Sequence, residues 1–186
     1  MIAEKDTIKC ESYFSDDRKH RLLWRRVWNK DKPMACVIML NPCLSDNILT
    51  DTTTSLVVNN IARLGGFGGV SIVNLFSYLT PKLHMRVAKD TDINDPDNDN
   101  YIKKAAEEAS VIIFGWGRGA ELNIRIKNRA EQVIELLSKH QEKFRVISDG
   151  ERKGIHPLTP SCRAAWTLEP FDPAKASTET ENTPAE

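Results

Sequence analysis

The 186-residue chain lacks long hydrophobic segments, regularly spaced cysteines and an excess of charge of one sign. No apolar stretch approaches the ~20 residues needed to cross a bilayer. The N-terminus also lacks the basic and then apolar pattern of a signal peptide. We therefore predict a cytoplasmic protein without a membrane partner.

Cysteine is scarce and scattered along the chain. The four residues, Cys10, Cys36, Cys43 and Cys162, include no Cys-x-x-Cys pair. Zinc sites and disulfide frameworks both depend on such regular spacings. We predict four reduced thiols, no bound metal and no other cofactor.

The charges cancel over the whole chain, with 26 basic and 26 acidic residues, but they are distributed unevenly. Residues 172–186 hold four acids, one base and no large apolar side chain, which predicts a disordered acidic tail. The single folded domain predicted over residues 1–171 then carries 25 basic and 22 acidic residues, a net charge of +3. That excess is compatible with a nucleic-acid partner without being evidence for one.

Two basic clusters stand near the ends of this domain, and such clusters are more often solvated faces than phosphate-binding surfaces. They comprise Arg18, Lys19, His20, Arg21, Arg25 and Arg26, and then Arg145, Arg152, Lys153, His156 and Arg163.

The hydrophobic pattern alternates between short apolar runs and stretches with helical spacing. Strands are predicted at residues 35–40, 70–75, 110–114 and 144–148. Helices are predicted between Asp51 and Gly65, from 97 to 108 and from 120 to 139. This alternation predicts an α/β fold, a three-layer α/β/α sandwich with a central, mostly parallel four-stranded sheet. Residues 10–14 and 20–28 would add a peripheral N-terminal hairpin.

Distinctive residues follow the predicted strands. The first strand stops at Asn41, which Pro42 holds in an extended conformation. The other ends carry Asn74, Trp116 between two glycines, and His156 before Pro157. Parallel strands place these ends on one edge, where ligands of open α/β sheets bind. Two interpretations of Asn41 remain open, a cap of the turn and a member of a ligand site.

These motifs, in this order, resemble those of the uracil-DNA glycosylase superfamily. The resemblance is carried by Asn41-Pro42, Asn74, Phe114-Gly115-Trp116-Gly117 and His156-Pro157. From residue 12 to 165 the chain also resembles DUF1643, an uncharacterised bacterial and phage family. The shared sequences there are Leu-Asn-Pro, Asp-x-Thr, Val-Asn-Leu-Phe, Asn-Asp, Trp-Gly and His-Pro-Leu.

The chain departs from the glycosylase pattern at two positions. Met39 stands where the superfamily usually has a glycine, and Leu158 stands where it has a serine that contacts phosphate. That contact would pass to Thr159 or Ser161. The first motif carries Asn41, as in the branches of the superfamily that use asparagine.

The resemblance implies a monofunctional DNA glycosylase, which hydrolyses the N-glycosidic bond of a flipped-out base and leaves an abasic site. Asn41 would position the attacking water, and His156 would donate a hydrogen bond to the departing base. Asn74 would bind the edge of the base, and Phe76 or Trp116 would stack on it. An amide is a weak base, so turnover would be modest.

Cys43 bears on the identity of the base. In the uracil-specific branch, a tyrosine after the proline excludes groups at the fifth carbon of the pyrimidine, and Cys43 in that place would leave room. We therefore predict a 5-substituted pyrimidine, such as a hypermodified cytosine of phage DNA, within duplex DNA. The setting would be antiviral defence or base repair. Candidate phosphate-binding residues are Arg118, Lys153, Thr159, Ser161 and Arg163.

Acidic residues leave further questions open. Asp51 and Asp99 are candidate pocket acids, although both also suit helix starts. The acidic loop from 90 to 99 lacks the glycine and terminal glutamate of an EF-hand, so helix capping is favoured over metal binding. Two other functions also stand: an enzyme acting on free nucleotides, and a non-catalytic module that binds a modified nucleotide.

Overall fold

In a computed structural model of the chain, residues 3, 5–81, 83 and 89–173 are described. The predicted acidic tail lies outside these residues from position 174 onward. The strands are β1 Lys9–Phe14, β2 Arg21–Val27, β3 Met34–Met39, β4 Gly69–Asn74, β5 Ala109–Phe114, β6 Phe144–Ser148 and β7 Thr167–Pro170. The helices are α1 Thr52–Arg63, α2 Asp90–Ile93, α3 Asn98–Glu108, α4 Gly119–Leu122 and α5 Ile124–Leu136, with 3₁₀ turns at Ser138–Lys143 and Pro160–Cys162.

All seven strands form one mixed sheet, in the order β1-β2-β4-β3-β5-β6-β7. The four central strands β4, β3, β5 and β6 are parallel, and they are the four strands predicted from sequence. The predicted strand count of four was wrong, because β1, β2 and β7 add antiparallel strands at the two sides.

The N-terminal hairpin is confirmed, and it extends one side of the central sheet. β1 pairs with β2, and β2 in turn pairs antiparallel with β4. The reason is visible in the sequence of β2, where Leu22, Leu23 and Trp24 are consecutive and all buried. A strand that buries successive side chains is covered on both faces and therefore belongs inside the sheet.

Helices cover both faces of the sheet. Val57 and Ile61 of α1 pack with Val37 and Ile72 on one face. On the other face, α3 and α5 contribute a larger apolar cluster that includes Ile102 and Val133. The hydrophobic core thus lies in two layers, one on each side of the sheet.

The predicted long helix from 120 to 139 was wrong, since the chain breaks at Asn123. The backbone of Asn123 is extended, with φ −143° and ψ 118°. Its side chain accepts hydrogen bonds from the N–H groups of Arg125 and Ile126, which start α5 as a new helix.

Chain order places the candidate site. The chain runs from β3 to its neighbour β4 and then crosses to β5 on the opposite side of β3. Such a reversal opens a crevice at the carboxyl ends of the strands, where α/β proteins bind ligands. Within the described residues, no helix is both long and apolar enough to span a membrane.

Candidate functional site

A cavity of about 210 Å³ opens at the carboxyl edge of the parallel strands, on the α1 side of the sheet. Four of the residues predicted to be catalytic or base-binding line it together: Asn41, Cys43, Asn74 and His156. Asp51 also lines it, as do Arg21, Met39, Leu40, Thr53, Thr54, Val57, Ile72, Pro81 and Leu158. The predicted convergence of strand ends on one crevice is therefore found for three of the four parallel strands.

The register of the sheet explains this convergence. Met39 at the end of β3 is the partner of Asn74 at the end of β4, so both strands stop at the same level. Asn41 follows two residues after β3. His156 arrives on the loop after β6, and Asp51 stands at the N-terminus of α1.

Asn41 is oriented by its own amide nitrogen. Nδ2 donates to the carbonyl oxygen of Thr80 at 2.8 Å and more weakly to that of Pro42 at 3.3 Å. The nitrogen is thereby committed to the protein, and Oδ1 is the atom with which the side chain can accept a hydrogen bond from a ligand or water. The two interpretations of Asn41 are therefore compatible, because Nδ2 binds the turn and Oδ1 can accept a hydrogen bond in the cavity.

His156 is held as a neutral imidazole. Its Nδ1 accepts a hydrogen bond from the backbone N–H of Leu158 at 3.1 Å, which assigns the ring proton to Nε2. Burial lowers the pKa of His156 below its ordinary value of 6.5. At neutral pH the ring is therefore uncharged and can donate one hydrogen bond through Nε2.

Gly117 allows the His156 loop to approach β5. Its φ is +68°, and a Cβ added there would lie 2.8 Å from the Cβ of His156 and 3.3 Å from its backbone nitrogen. A side chain at position 117 would push the histidine away. The glycine beside Trp116, more than the tryptophan, connects this predicted motif to the cavity.

Asn74 is 1% exposed, and its Oδ1 has no hydrogen-bond partner among the described residues. The strand end that carries it is fixed from the other face. There, Nδ2 of Asn98 donates to the carbonyl oxygens of Asn74 at 3.0 Å and Leu75 at 3.4 Å. A rigid strand end thus presents a buried acceptor to the cavity.

Arg21 is the functional candidate that the sequence reasoning missed. It belonged to a basic cluster predicted to be solvated, yet it is 2% exposed and lines the cavity. Because β2 runs antiparallel to β4, the first residue of β2 reaches the edge where β4 ends. The run of buried apolar residues directly after Arg21 is the signal that could have placed it inside.

Asp51 and Cys43 complete the polar part of the cavity. Asp51 caps α1 by accepting from the Thr54 N–H at 3.0 Å and from Thr54 Oγ1 at 2.7 Å. Burial opposes ionisation of Asp51, but hydrogen bonds from Thr54 and Ser45 and the charge of Arg21 outweigh it and lower the pKa. Burial, with the nearby Asp51 charge, raises the pKa of Cys43, so its thiol is protonated at neutral pH.

Three residues predicted as base-binding residues or pocket acids do not line the cavity. Phe76 is buried in the core on the α3 and α5 face. Trp116 packs against Phe114 with ring centroids 4.8 Å apart. Asp99 forms an ion pair with Arg129 of α5.

The candidate phosphate-binding residues lie mostly on exposed loops and have partners within the chain. Arg118 pairs with Glu121 at 2.6 Å, and Lys153 pairs with Glu169 at 2.6 Å. Arg163 Nε donates to the carbonyl oxygen of Leu158 at 2.8 Å. Ser161 donates to Asp149, and the Thr159 N–H donates to the carbonyl oxygen of His156.

Helix capping is the interpretation favoured for the acidic loop from 90 to 99. Asp97 occupies the N-cap position of α3 but makes no side-chain capping bond, and Asn98 binds the end of β4 instead. Among the described residues, no group of three or more His, Cys, Asp or Glu side chains is placed to hold a metal ion.

The fold is that of an α/β protein with a cavity, lined by both apolar and polar side chains, at the carboxyl edge of its parallel strands. The chain belongs to the family described as Protein of unknown function (DUF1643), whose model matches residues 21–158, about three quarters of the chain. Searches of the curated proteins and of the solved structures each found no match. The resemblance to uracil-DNA glycosylases therefore stays a prediction.

Proposed function

We propose that the protein is a DNA glycosylase that hydrolyses the N-glycosidic bond of a 5-substituted pyrimidine. The observation that carries this proposal is the meeting of Asn41, Asn74 and a neutral His156 in one cavity of about 210 Å³. A water-positioning acceptor, a base-edge amide and a hydrogen-bond donor are the three groups that this hydrolysis needs. The helices on both faces of the parallel strands are compatible with a glycosylase-like α/β/α sandwich.

The proposed mechanism places the developing negative charge beside His156. As the glycosidic bond breaks, electrons move onto the base, and the Nε2–H of His156 donates to the base oxygen that gains charge. A neutral donor stabilises that oxygen without having to release a proton. The Leu158 N–H at Nδ1 keeps the ring proton on Nε2 throughout.

Asn41 serves the other side of the reaction. Its Oδ1 accepts from the attacking water, while Thr80 fixes the amide through Nδ2. The water adds to the sugar carbon, and its excess proton passes to solvent or to the departing base. Cys43 is not a nucleophile in this mechanism, because its pKa is raised and its thiol stays protonated.

Cys43 supports the choice of a 5-substituted base, since a half-buried cysteine occupies little of the cavity it lines. The biological setting that we propose is antiviral defence against phage with hypermodified cytosine, or base repair. The product would be an abasic site in duplex DNA.

An enzyme on free nucleotides is the second candidate, and one observation favours it. The loop residues predicted to bind DNA phosphates already engage Glu121, Glu169 and Asp149 within the chain. A basic surface neutralised in this way attracts duplex DNA less strongly. Retardation of DNA that weakens with rising salt would favour the glycosylase, and its absence would favour the free-nucleotide enzyme.

The test is an excision assay on duplexes that carry uracil, a thymine mispair, 5-hydroxymethylcytosine or glucosylated 5-hydroxymethylcytosine. We expect wild-type protein to release only the 5-substituted cytosines. Asn41→Ala should lower the rate by about 10²- to 10³-fold, the usual effect of removing one preorganised polar group.

The matched control is Asn100→Ala, an exposed asparagine of α3 that does not line the cavity. It should keep the wild-type rate. Activity confined to uracil would contradict the proposed substrate. Equal loss in both variants would contradict the role of Asn41.

A further inference from the structure

Arg21 brings a buried positive charge to the cavity that the proposed mechanism does not use. The side chain is 2% exposed, and its Nε has no hydrogen-bond partner among the described residues. Removing a guanidinium from water is costly unless its donors are satisfied. A hydrogen-bond acceptor on a ligand in the cavity would satisfy this donor.

Within the described residues, the guanidinium donates its hydrogen bonds to Ser45. One terminal nitrogen donates to Ser45 Oγ at 2.5 Å and to the Ser45 carbonyl oxygen at 3.3 Å. In the described part of the chain, no carboxylate oxygen lies within the 4.0 Å that defines an ion pair with Arg21. Ser45 thus fixes the orientation without neutralising the charge.

Asp51 is close enough to influence Arg21 but does not pair with it. Its two carboxylate oxygens accept from the backbone and the hydroxyl of Thr54. Arg21 in turn donates to Ser45 and not to Asp51, although its charge contributes to the lowered pKa of Asp51. The carboxylate is therefore used to start α1, and Arg21, which lines the cavity, keeps an N–H without a partner among the described residues.

We propose that Arg21 forms an oxyanion subsite in this cavity, which binds a carboxylate or phosphate group of the ligand. A planar guanidinium with an unused N–H is suited to such groups, because oxyanions accept charge-assisted hydrogen bonds in its plane. Asn74 Oδ1, the other unpartnered buried atom of the cavity, would accept a hydrogen bond from a donor on the same ligand.

This inference deepens the proposed function, on which it rests only for the identity of the ligand as a pyrimidine. The oxyanion would be either an acidic substituent of the base or the phosphate of a nucleotide. These two sources have the same chemistry at Arg21 and differ in where the charge is attached.

The experiment compares matched pairs of ligands by calorimetric titration at constant ionic strength. The first pair is 5-carboxy-2′-deoxycytidine and 5-methyl-2′-deoxycytidine, and the second is deoxycytidine 5′-monophosphate and deoxycytidine. We expect the anionic member of one pair to bind about 10- to 100-fold more tightly than its neutral partner. The pair that shows the preference identifies the source of the oxyanion.

Variants then assign the preference to Arg21. Arg21→Gln should abolish it, Arg21→Lys should retain part of it, and Arg63→Gln should leave it unchanged. Arg63 is the matched control because it is exposed at the end of α1 and does not line the cavity. Should Arg21→Gln fail to fold, the wild-type pairs and Arg21→Lys still decide the question.

Equal affinity for the anionic and neutral members of both pairs would overturn the subsite, as would a preference that survives in folded Arg21→Gln. The glycosylase proposal is judged separately by base release. An oxyanion preference without release of any base would support the subsite and contradict only the proposed hydrolysis.

Discussion

Two arginine side chains reach the carboxyl edge of the sheet, and they differ in how many of their nitrogens have hydrogen-bond partners. Arg129 of α5 donates through Nε to the carbonyl oxygen of Leu75 at 2.9 Å and through both terminal nitrogens to Asp99. Arg21 donates to Ser45, and its Nε has no partner in the part of the chain that the structure describes. The two side chains are chemically identical, but their surroundings differ.

This difference in hydrogen bonding distinguishes a structural arginine, Arg129, from a candidate ligand-binding arginine, Arg21. On the α3 and α5 face, Arg129 and Asn98 bind the backbone at the end of β4 and make it rigid. On the α1 face, Arg21 and Asn74 line a cavity, and Arg21 Nε and Asn74 Oδ1 have no hydrogen-bond partner among the described residues. Asn98 Oδ1 also has no partner there, but Asn98 is not one of the residues that line this cavity. Native proteins leave few buried polar groups unsatisfied, so those that line a cavity indicate where a ligand binds.

The largest expected effect compares the two arginines directly in ligand-free protein. Arg129→Met should lower the free energy of unfolding by about 1–3 kcal/mol, because the Leu75 carbonyl loses its charged donor. Arg21→Met should leave it within about 1 kcal/mol of wild type, or raise it, because an apolar side chain replaces a buried charge that has no ion-pair partner among the described residues. Urea unfolding of both variants measures this. If Arg21→Met lost as much stability as Arg129→Met, Arg21 would be a structural residue and the contrast would fail.

A smaller effect is expected at Gly117, whose close approach to His156 can be tested by substitution. Gly117→Ala and Gly154→Ala introduce a side chain at nearly the same φ, +68° and +65°. Both should lose roughly 1–2 kcal/mol to left-handed backbone strain. Only position 117 has His156 within 2.8 Å, whereas nothing lies within 4 Å at position 154.

Base release should therefore fall in Gly117→Ala and stay near wild type in Gly154→Ala. Excision rates measured on the best substrate, at a temperature where both variants are folded, check this. Equal activity of the two variants would show that the close approach of position 117 to His156 does not matter for the site.

The smallest effect concerns the protonation of His156. Burial lowers its folded-state pKa below 6.5, so the unfolded state binds a proton at a higher pH than the folded state. The stability that this difference contributes is complete above pH 6.5 and is lost as the pH falls through the folded-state pKa. Wild type should therefore lose more stability than His156→Gln between pH 7.5 and pH 5, as measured by urea unfolding. A parallel loss in both proteins would contradict the lowered pKa of the half-buried His156.

The parallel centre of the fold was predictable because its signals are local. Four apolar runs bounded by turn residues correspond to β3, β4, β5 and β6, and Asp51 marked the start of α1. The extra strands were not predictable from the same signals. Pairing of β2 with β4 joins residues more than 40 positions apart, and one polar capping residue, Asn123, divided what helical spacing predicted as a single helix.

The sequence predicted those cavity residues that directly follow a parallel strand. It did not predict those whose position depends on which strands pair in the sheet. Asn41, Asn74 and His156 share the cavity because parallel strands end together. Arg21 was missed because its position depends on the antiparallel neighbour of β4. Trp116 and Phe76 were placed by motif alone, and both pack on the opposite face of the sheet from the cavity.

The most direct test of the central claim is mass spectrometry of the free bases released from several naturally modified phage DNAs, with wild-type protein and with Asn41→Ala. We predict that wild type releases one 5-substituted pyrimidine and leaves abasic sites in equal amount, while Asn41→Ala releases almost none. No released base from any of these DNAs, or equal release by the two proteins, would contradict the account.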